Sequence, residues 1–285
     1  AQEHPEIVVI DNPAGRTPVA MNLGSEATSH PVVVRVDAHA TLPAHYTSTL
    51  VGALEEHDAV NAGGRMVARG LSPFQRAVAW AYNSPVGLGG GSHHRTSGGG
   101  PAETVYLGVF RRDALDAAGG YDESLARAQD WDLNRRLREA GGILWFVPEI
   151  EVEYFPRSSW TALARQFWIT GRWRATLTRE EPGAAPLRYF APPALVVGLV
   201  LSVIAAIGLG FAGAPLWAVL AACGLPVLYA AGVSSIAALR ARSLSVAERA
   251  WLIVVLPTMH VAWGAGNLVG LLAPMRRVAT SDGDA

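Results

Sequence analysis

The chain reads as an α/β domain followed by an all-α membrane region of about three helices. Three observations carry that reading. The opening alternates short β-branched runs with a helical stretch: Ile7 to Ile10, then Thr17 to Ala27, then Val32-Val-Val-Arg-Val36. The last third holds two long runs, Ala194 to Leu239 and Ala250 to Met275, without a single Asp, Glu, Lys or Arg. A membrane helix needs roughly 20 mostly apolar residues, so the first run has room for two spans and the second for one. Between the two regions, residues 158–179 interleave Trp160, Phe167, Trp168 and Trp173 with Arg165, Arg172 and Arg174, a pattern suited to a water–lipid interface.

Taken in order, Ile7 to Ile10 predicts a buried strand, closed by a turn at Asn12-Pro-Ala-Gly15. Thr17 is placed as the N-cap of the first helix, with Pro18 at its first position. A second buried strand ends at Asp37-Ala-His39, and parallel strands are expected. Helices are expected over 43–56 and 73–83, with a strand over 58–67 between them. Beyond the Gly-rich stretch 87–100 come a strand at 105–110 and a helix at 113–118 closed by Gly119-Gly120. A helix at 130–140 and a strand at 143–147 complete the domain. The expected boundaries are a catalytic domain over 1–157, an interfacial helix and linker over 158–189, and membrane helices with a short tail over 190–285. The spans are placed at about 191–212, 216–239 and 250–272.

A formal net charge of −1 excludes a nucleic-acid binder that works by bulk charge. The single cysteine, Cys223, excludes a disulfide framework and a Cys-based zinc site. Arg240, Arg242 and Arg249 sit between the second and third spans. By the positive-inside rule that loop is cytosolic, and so is the catalytic half of a multi-pass cell-membrane protein. Three spans then put Arg276 and Arg277 outside, against the same rule. A transporter would need ionisable groups facing a bundle interior, and only His260 and Asn267 come near.

Three clusters can carry chemistry. Arg35-Val-Asp37-Ala-His39 ends a buried strand, where open α/β sheets bind ligands. Asp37 with His39 two residues on can hold a divalent cation, Mg²⁺ or Mn²⁺, against a diphosphate; the alternative is a strand-ending Asp and a solvated His. Asp130, in Gln129-Asp130-Trp131-Asp132, is placed as a general base, whereas Asp132 faces elsewhere and pairs with Arg136. The alternative is that acidic residues simply favour a helix N-terminus. Gln166 and Trp173, seven apart, share a helix face with Arg172 nearby and suit a diphosphate or an acceptor; the alternative is interfacial anchoring. His93-His94, in the Gly-rich loop, have no nearby partner at metal-ligand spacing.

In this order the pieces resemble family-2 glycosyltransferases of the GT-A fold, most closely the succinoglycan-biosynthesis type. The matching stretches are Asp11-Asn-Pro13, Thr17-Pro18 with Asn22, Arg35-Val-Asp-Ala-His39, Ser84-Pro-Val-Gly87, Glu103-Thr-Val-Tyr-Leu-Gly108, Gly119-Gly-Tyr-Asp-Glu123, Gln129-Asp130 with Leu133-Asn134, Tyr154-Phe-Pro-Arg157 and Gln166 through Trp173. They cover nearly all of residues 7–175.

The resemblance implies inverting transfer from a nucleotide-sugar donor to a lipid-linked or polysaccharide acceptor at the cytosolic membrane face. Asp130 is implied as the base, and Asp37 and His39 as metal and donor-diphosphate ligands. Gln166, Arg172 and Trp173 fall on the donor side, Glu103 and Asp122 on the acceptor side. His39 stands where the family has a second Asp, and the Gln-to-Arg spacing is longer than in cellulose-synthase-like members. Relatives open with a strand–helix–strand unit that grips the nucleotide base, and nothing before Ile7 supplies one. The expectation is therefore an incomplete, N-terminally truncated GT-A domain, with an inactive membrane-anchored scaffold as the rival to an enzyme.

Overall fold

A computed structural model describes residues 6–38, 40–87, 98–125, 127–180 and 187–275. They form two compact units. The first takes its described residues from 6–67 and 98–154, and the second from 68–87 and 155–275. The units are thus not contiguous pieces of chain: a helix from within the first half belongs with the C-terminal helices.

The first unit is built from α1 (Thr17–Glu26), β1 (Val32–Val34), β2 (Ala40–Thr41), α2 (Tyr46–Glu56), β3 (Ala59–Ala68), β4 (Gly100–Pro101), β5 (Tyr106–Arg111), α4 (Arg112–Ala117), α5 (Gln129–Glu139) and β6 (Ile143–Tyr154). The strands make one six-stranded sheet in the order β1-β5-β3-β6-β2, with β4 also on β6. Neighbouring residues of β5 face opposite sides, as the pleat requires. Val109 packs with Tyr46, Leu50 and Leu54 of α2, whereas Phe110 packs with Leu133 and Leu137 of α5. Helices therefore cover both faces of the sheet.

Several expectations are corrected. Ile7 to Ile10 is not a strand: Val8 and Val9 are 75% and 76% exposed and make no ladder. A β-branched run becomes a strand only where a partner edge accepts it. Without it, Val32–Val34 pairs antiparallel with Val109–Arg111, and the other pairings whose register is described, β2–β6, β3–β5 and β4–β6, are antiparallel too. The expected parallel arrangement does not arise in them. Arg16, not Thr17, is the N-cap of α1, without a side-chain cap bond. The last strand runs on from Val147 to Tyr154, because its second half is held by β2.

The register between β3 and β5 shifts between Ala62 and Gly64, a bulge. On the β5 side Leu107 takes φ 46°, a conformation costly for a branched side chain, and Tyr46, 1% exposed, donates its hydroxyl to the Leu107 carbonyl. A side chain at the next residue, Gly108, would strike Asn61 Oδ1 and the Phe110 ring. The Gly108 carbonyl accepts from the Arg35 amide at 3.2 Å, so the bulge sets where the chain leaves β1.

The second unit contains α3 (Pro73–Asn83), α6 (Trp160–Glu180), a 3₁₀ turn (Leu187–Phe190), α7 (Ala191–Phe211), α8 (Leu216–Ala222), α9 (Gly224–Ser235) continuing through a π-type turn (Ile236–Arg240), and α10 (Val246–Leu272). Capping boxes start both α3, through Ser72 and Gln75, and α10, through Ser245 and Glu248. Glu248 also pairs with Arg76 of α3 at 2.6 Å. Helices α6 and α10 cross closely because glycines line the seam. Gly171 faces the Trp263 carbonyl, Gly266 that of Trp168 and Gly270 that of Arg172. Two polar groups of α10 are internal ties: Asn267 donates to the Gly171 carbonyl, and His260 joins the Val86 carbonyl and the Tyr229 hydroxyl at 2.9 Å each.

Among the described residues, α7 and α10 are long and apolar enough to cross a membrane. The expected middle span is α8 with α9, bent by 51° at the break that holds Cys223.

The glycine seam gives a paired prediction. Gly266→Leu should destabilise the detergent-purified protein by at least about 1–3 kcal/mol, because its side chain meets backbone rather than a yielding neighbour. Gly210→Leu, on α7 with open space around it, should leave the melting temperature unchanged.

Candidate active site

Arg35, one residue beyond β1, sends a side chain only 9% exposed into the first unit. Its Nε donates to Asp37 Oδ1 at 3.0 Å, and one terminal nitrogen reaches Oδ2 at 3.3 Å. The other terminal nitrogen donates to Asp130 Oδ1. One guanidinium thus bridges two carboxylates that are 93 residues apart in sequence (130 − 37). Its charge lies 5.8 Å from the centre of the Tyr121 ring. Burial works against the cation, but Asp130, Tyr121 and Asp37 outweigh it, so the Arg35 pKa is raised and its charge is permanent.

Asp130 is delivered by α5, whose start is turned by Ala128 at φ 64°. Asn134, one turn further along, anchors the helix. It accepts from Asn61 Nδ2 at 2.8 Å and donates to Thr104 Oγ1 at 2.7 Å. Asn61 is fully buried in β3, so this amide pair locks α5 to the sheet beside the bulge. Asp132 is buried and pairs with Arg135 at 3.0 Å and Arg136 at 2.8 Å, as its spacing anticipates. Arg136 in turn donates to the Ala118 and Gly120 carbonyls. Asn22 of α1 bonds both the amide and the carbonyl of Tyr121, at 2.8 and 2.9 Å. The turn that places Tyr121 against Arg35 is therefore held from both sides.

The Asp130 side chain is 46% open to solvent, whereas Arg35, its partner, is 9% open. The Asp130 pKa is raised: desolvation dominates, Arg35 opposes it, and Asp37 adds to it. Tyr46, Tyr106 and Tyr121 all have hydroxyl pKa values raised, chiefly by burial. The Tyr106 hydroxyl is buried, interacts with the charge of Asp37 and has no hydrogen-bond partner among the described residues.

No family model matches the chain. The succinoglycan biosynthesis protein ExoA of Rhizobium meliloti (strain 1021) is 32% identical over 289 residues, which is 98% of this chain and 82% of that protein. This chain belongs to the ExoA family. Among solved structures, the mannosyltransferase PcManGT from Pyrobaculum calidifontis, in complex with GDP-Man and Mn²⁺, is similar over 94% of this chain and 71% of its own, with a TM-score of 0.50 and 17% identity. GalNAc-T7 with UDP, GalNAc and Mn²⁺ aligns over 60% of this chain and 38% of its own, with a TM-score of 0.39 and 15% identity. The fold is GT-A, and this ExoA-family chain is a glycosyltransferase.

In this ExoA-family chain, the structure brings together two of the residues that the sequence singles out, Asp37 and Asp130. His39 lies outside the described residues, as do His93 and His94. Glu103 is exposed between β4 and β5. Asp122 accepts from the Ser124 amide at 2.9 Å and hydroxyl at 2.6 Å, the work of a turn carboxylate. Gln166, Arg172 and Trp173 belong to the second unit, on α6. Gln166 accepts from Arg157 at 3.2 Å. Arg172 donates to the Ala273 carbonyl just past α10, and Arg179 donates to that of Leu271. Both thus sit at a helix C-terminus, where cations are favoured. Trp173 is 2% exposed and packs in the interior, so α6 is not the purely interfacial helix expected.

Sequence reasoning passed over Arg35 as a functional group, although a charge inside a valine run is a signal. It also passed over Asn61, which breaks an apolar strand in the same way.

The electrostatics predict opposite shifts from two neighbours. Followed by carbon NMR, the Asp130 carboxyl should titrate above the ordinary 3.8. Arg35→Gln removes the charge that lowers its pKa and should move the midpoint further up, whereas Asp37→Asn should move it down. Shifts of the same sign in both variants would refute the bridge.

Proposed function

We propose that this glycosyltransferase inverts configuration, moving a sugar from a nucleotide-sugar donor to a hydroxyl of a lipid-linked or polysaccharide acceptor at the cytosolic face of the membrane. The observation that carries this is the single guanidinium held between Asp37 and Asp130. In the step proposed, an Asp130 oxygen takes the proton of the acceptor hydroxyl while the hydroxyl's own oxygen bonds to the sugar's anomeric carbon. The bond from that carbon to the diphosphate breaks, and its electron pair leaves with the nucleoside diphosphate. A carboxyl with a raised pKa is the stronger base once ionised, and Arg35 keeps the ionised form present despite desolvation.

Asp37 fits a hard cation. Each of its oxygens accepts one bond from Arg35 and keeps a second lone pair. The bridge of two carboxylates and one arginine leaves one net negative charge. Mg²⁺ and Mn²⁺ commonly bind one or two carboxylates and complete their shell with substrate phosphates. Such a cation, held by Asp37, supplies positive charge for the departing diphosphate. PcManGT and GalNAc-T7 were both solved with Mn²⁺, which agrees with that chemistry in those proteins. Glu103 is proposed as an acceptor contact, since its carboxylate is exposed. Asp122, proposed with it on the acceptor side, shapes the turn after Tyr121 by accepting from Ser124. Gln166, Arg172 and Trp173 rest on the resemblance alone and are given no step.

For the membrane, we propose that the first unit and the loop bearing Arg240, Arg242 and Arg249 share the cytosolic side. The name of the ExoA relative places that protein in succinoglycan synthesis, and the coarser class, polysaccharide synthesis, is the role proposed here.

Titrating the detergent-purified chain with UDP and with GDP should show binding that needs Mn²⁺ or Mg²⁺ and is lost in Asp37→Ala. Asp130→Asn should keep that binding while transfer falls about 10²–10⁴-fold. If Asp130→Asn transfers at the parent rate, another group is the base. For orientation, Ser243→Cys in a Cys223→Ala background should react with an impermeant maleimide in inside-out vesicles and not in intact cells.

A further inference from the structure

Away from Arg35, the first unit carries a groove of about 290 Å³ between α2 and β6. This is close to the lower limit of about 300 Å³ for small-molecule sites. Its wall is aromatic: the His57 ring lies on Trp145 with centroids 3.7 Å apart and planes 19° from parallel. Trp145 is half-buried and packed against the core beneath α2, so the platform is rigid. Glu56, Glu149, Ser48 and Thr49 line the same groove, with the Ser48 hydroxyl donating to the His45 carbonyl at 3.2 Å. Gly52 of α2 leaves the space open, since a Cβ added there would meet no atom within 4 Å.

These groups select for one chemistry. The part of the His57–Trp145 stack left open offers apolar contact to a pyranose, while carboxylates and hydroxyls accept from sugar O–H groups. The lining holds no Lys or Arg, its His57 lies 3.8 Å from the Glu56 carboxylate, and Glu56 and Glu149 are both acidic, so phosphates and uronic acids are disfavoured. The groove is separate from the reacting centre: its lining, on α2, β6 and Gly99, includes none of Arg35, Asp37 and Asp130.

We propose that this groove is a second carbohydrate site, holding a neutral segment of the glycan chain outside the cluster of Arg35, Asp37 and Asp130. The identity of that chain as the enzyme's own acceptor or product rests on the glycosyltransferase reading; the sugar binding itself does not.

The test is calorimetric titration of the full chain in detergent with cellotetraose, laminaritetraose and tetragalacturonate. At least one neutral tetrasaccharide should bind saturably, and tetragalacturonate should not. Binding should be lost in Gly52→Phe, which fills the groove, weakened in His57→Ala, and unchanged in Asp130→Asn. Titration of every variant with UDP and GDP reports whether it has folded. The proposal is overturned if neither neutral sugar binds, if binding persists in both groove variants, if tetragalacturonate binds the groove, or if folded Asp130→Asn fails to bind the sugar. Failure of the unaltered protein to bind UDP or GDP would count against the function proposed above and leave the sugar result standing.

Discussion

The first unit depends on one buried cation. Arg35 is nearly closed to solvent, and a guanidinium in that position is tolerated only if carboxylates surround it. Asp37 comes from the same strand end, two residues on, while Asp130 has to be carried in by a separate helix. The arrangement therefore couples folding to the site: the ion pair is satisfied only when α5 has docked with Asp130 facing β1. That docking is enforced by a second buried polar contact, Asn61 with Asn134, rather than by apolar packing alone. Apolar contact between α5 and the sheet, through Leu133 and Leu137, would tolerate a small slide along the strands. The amide pair does not, because a displaced Asn would lose its partner inside the protein.

Part of the strained backbone serves the same end. Of the three left-handed non-glycine residues among those described, Asp58 lies in the turn before β3, whereas Leu107 at φ 46° and Ala128 at φ 64° lie on the two segments that lead into the site, the bulge of β5 and the entry to α5. Each of these two is held by a neighbour: Tyr46 grips the Leu107 carbonyl, and the Ala128 carbonyl accepts from the Asp132 amide. Strain kept by surrounding contacts is common where a group must be held against its local preference. Here the groups so held are the arginine bridge and the base proposed beside it.

The second unit follows a different logic. Its helices are joined by backbone approach at glycines and by a few polar ties, with Arg172 and Arg179 closing the end of α10. Small residues at helix crossings are the usual solution where apolar surface alone gives no preference between a lipid and a neighbouring helix. The outer surface of α7, apolar and uncovered, is the complementary observation.

Element types were largely legible in the sequence, because hydrophobic periodicity, capping residues and paired glycines act over a few residues. The helix at 73–83 and the turn at Gly119-Gly120 are cases where local rules suffice. Asp37 and Asp130 could be singled out from the sequence too, through their positions at a strand end and a helix start, and the structure joins them through Arg35. The pairing of strands was not: Ile7 to Ile10 has every local mark of a buried strand, yet whether it joins a sheet depends on an edge elsewhere in the chain. Nor could the sequence show that Arg35 lies between the two aspartates or that Trp173 faces inward. Those facts arise from contacts between residues far apart in sequence, where burial and charge act over a few ångströms of space and leave no trace in spacing. The sequence by itself determined the parts and their chemistry, and the tertiary structure alone decided which of them meet.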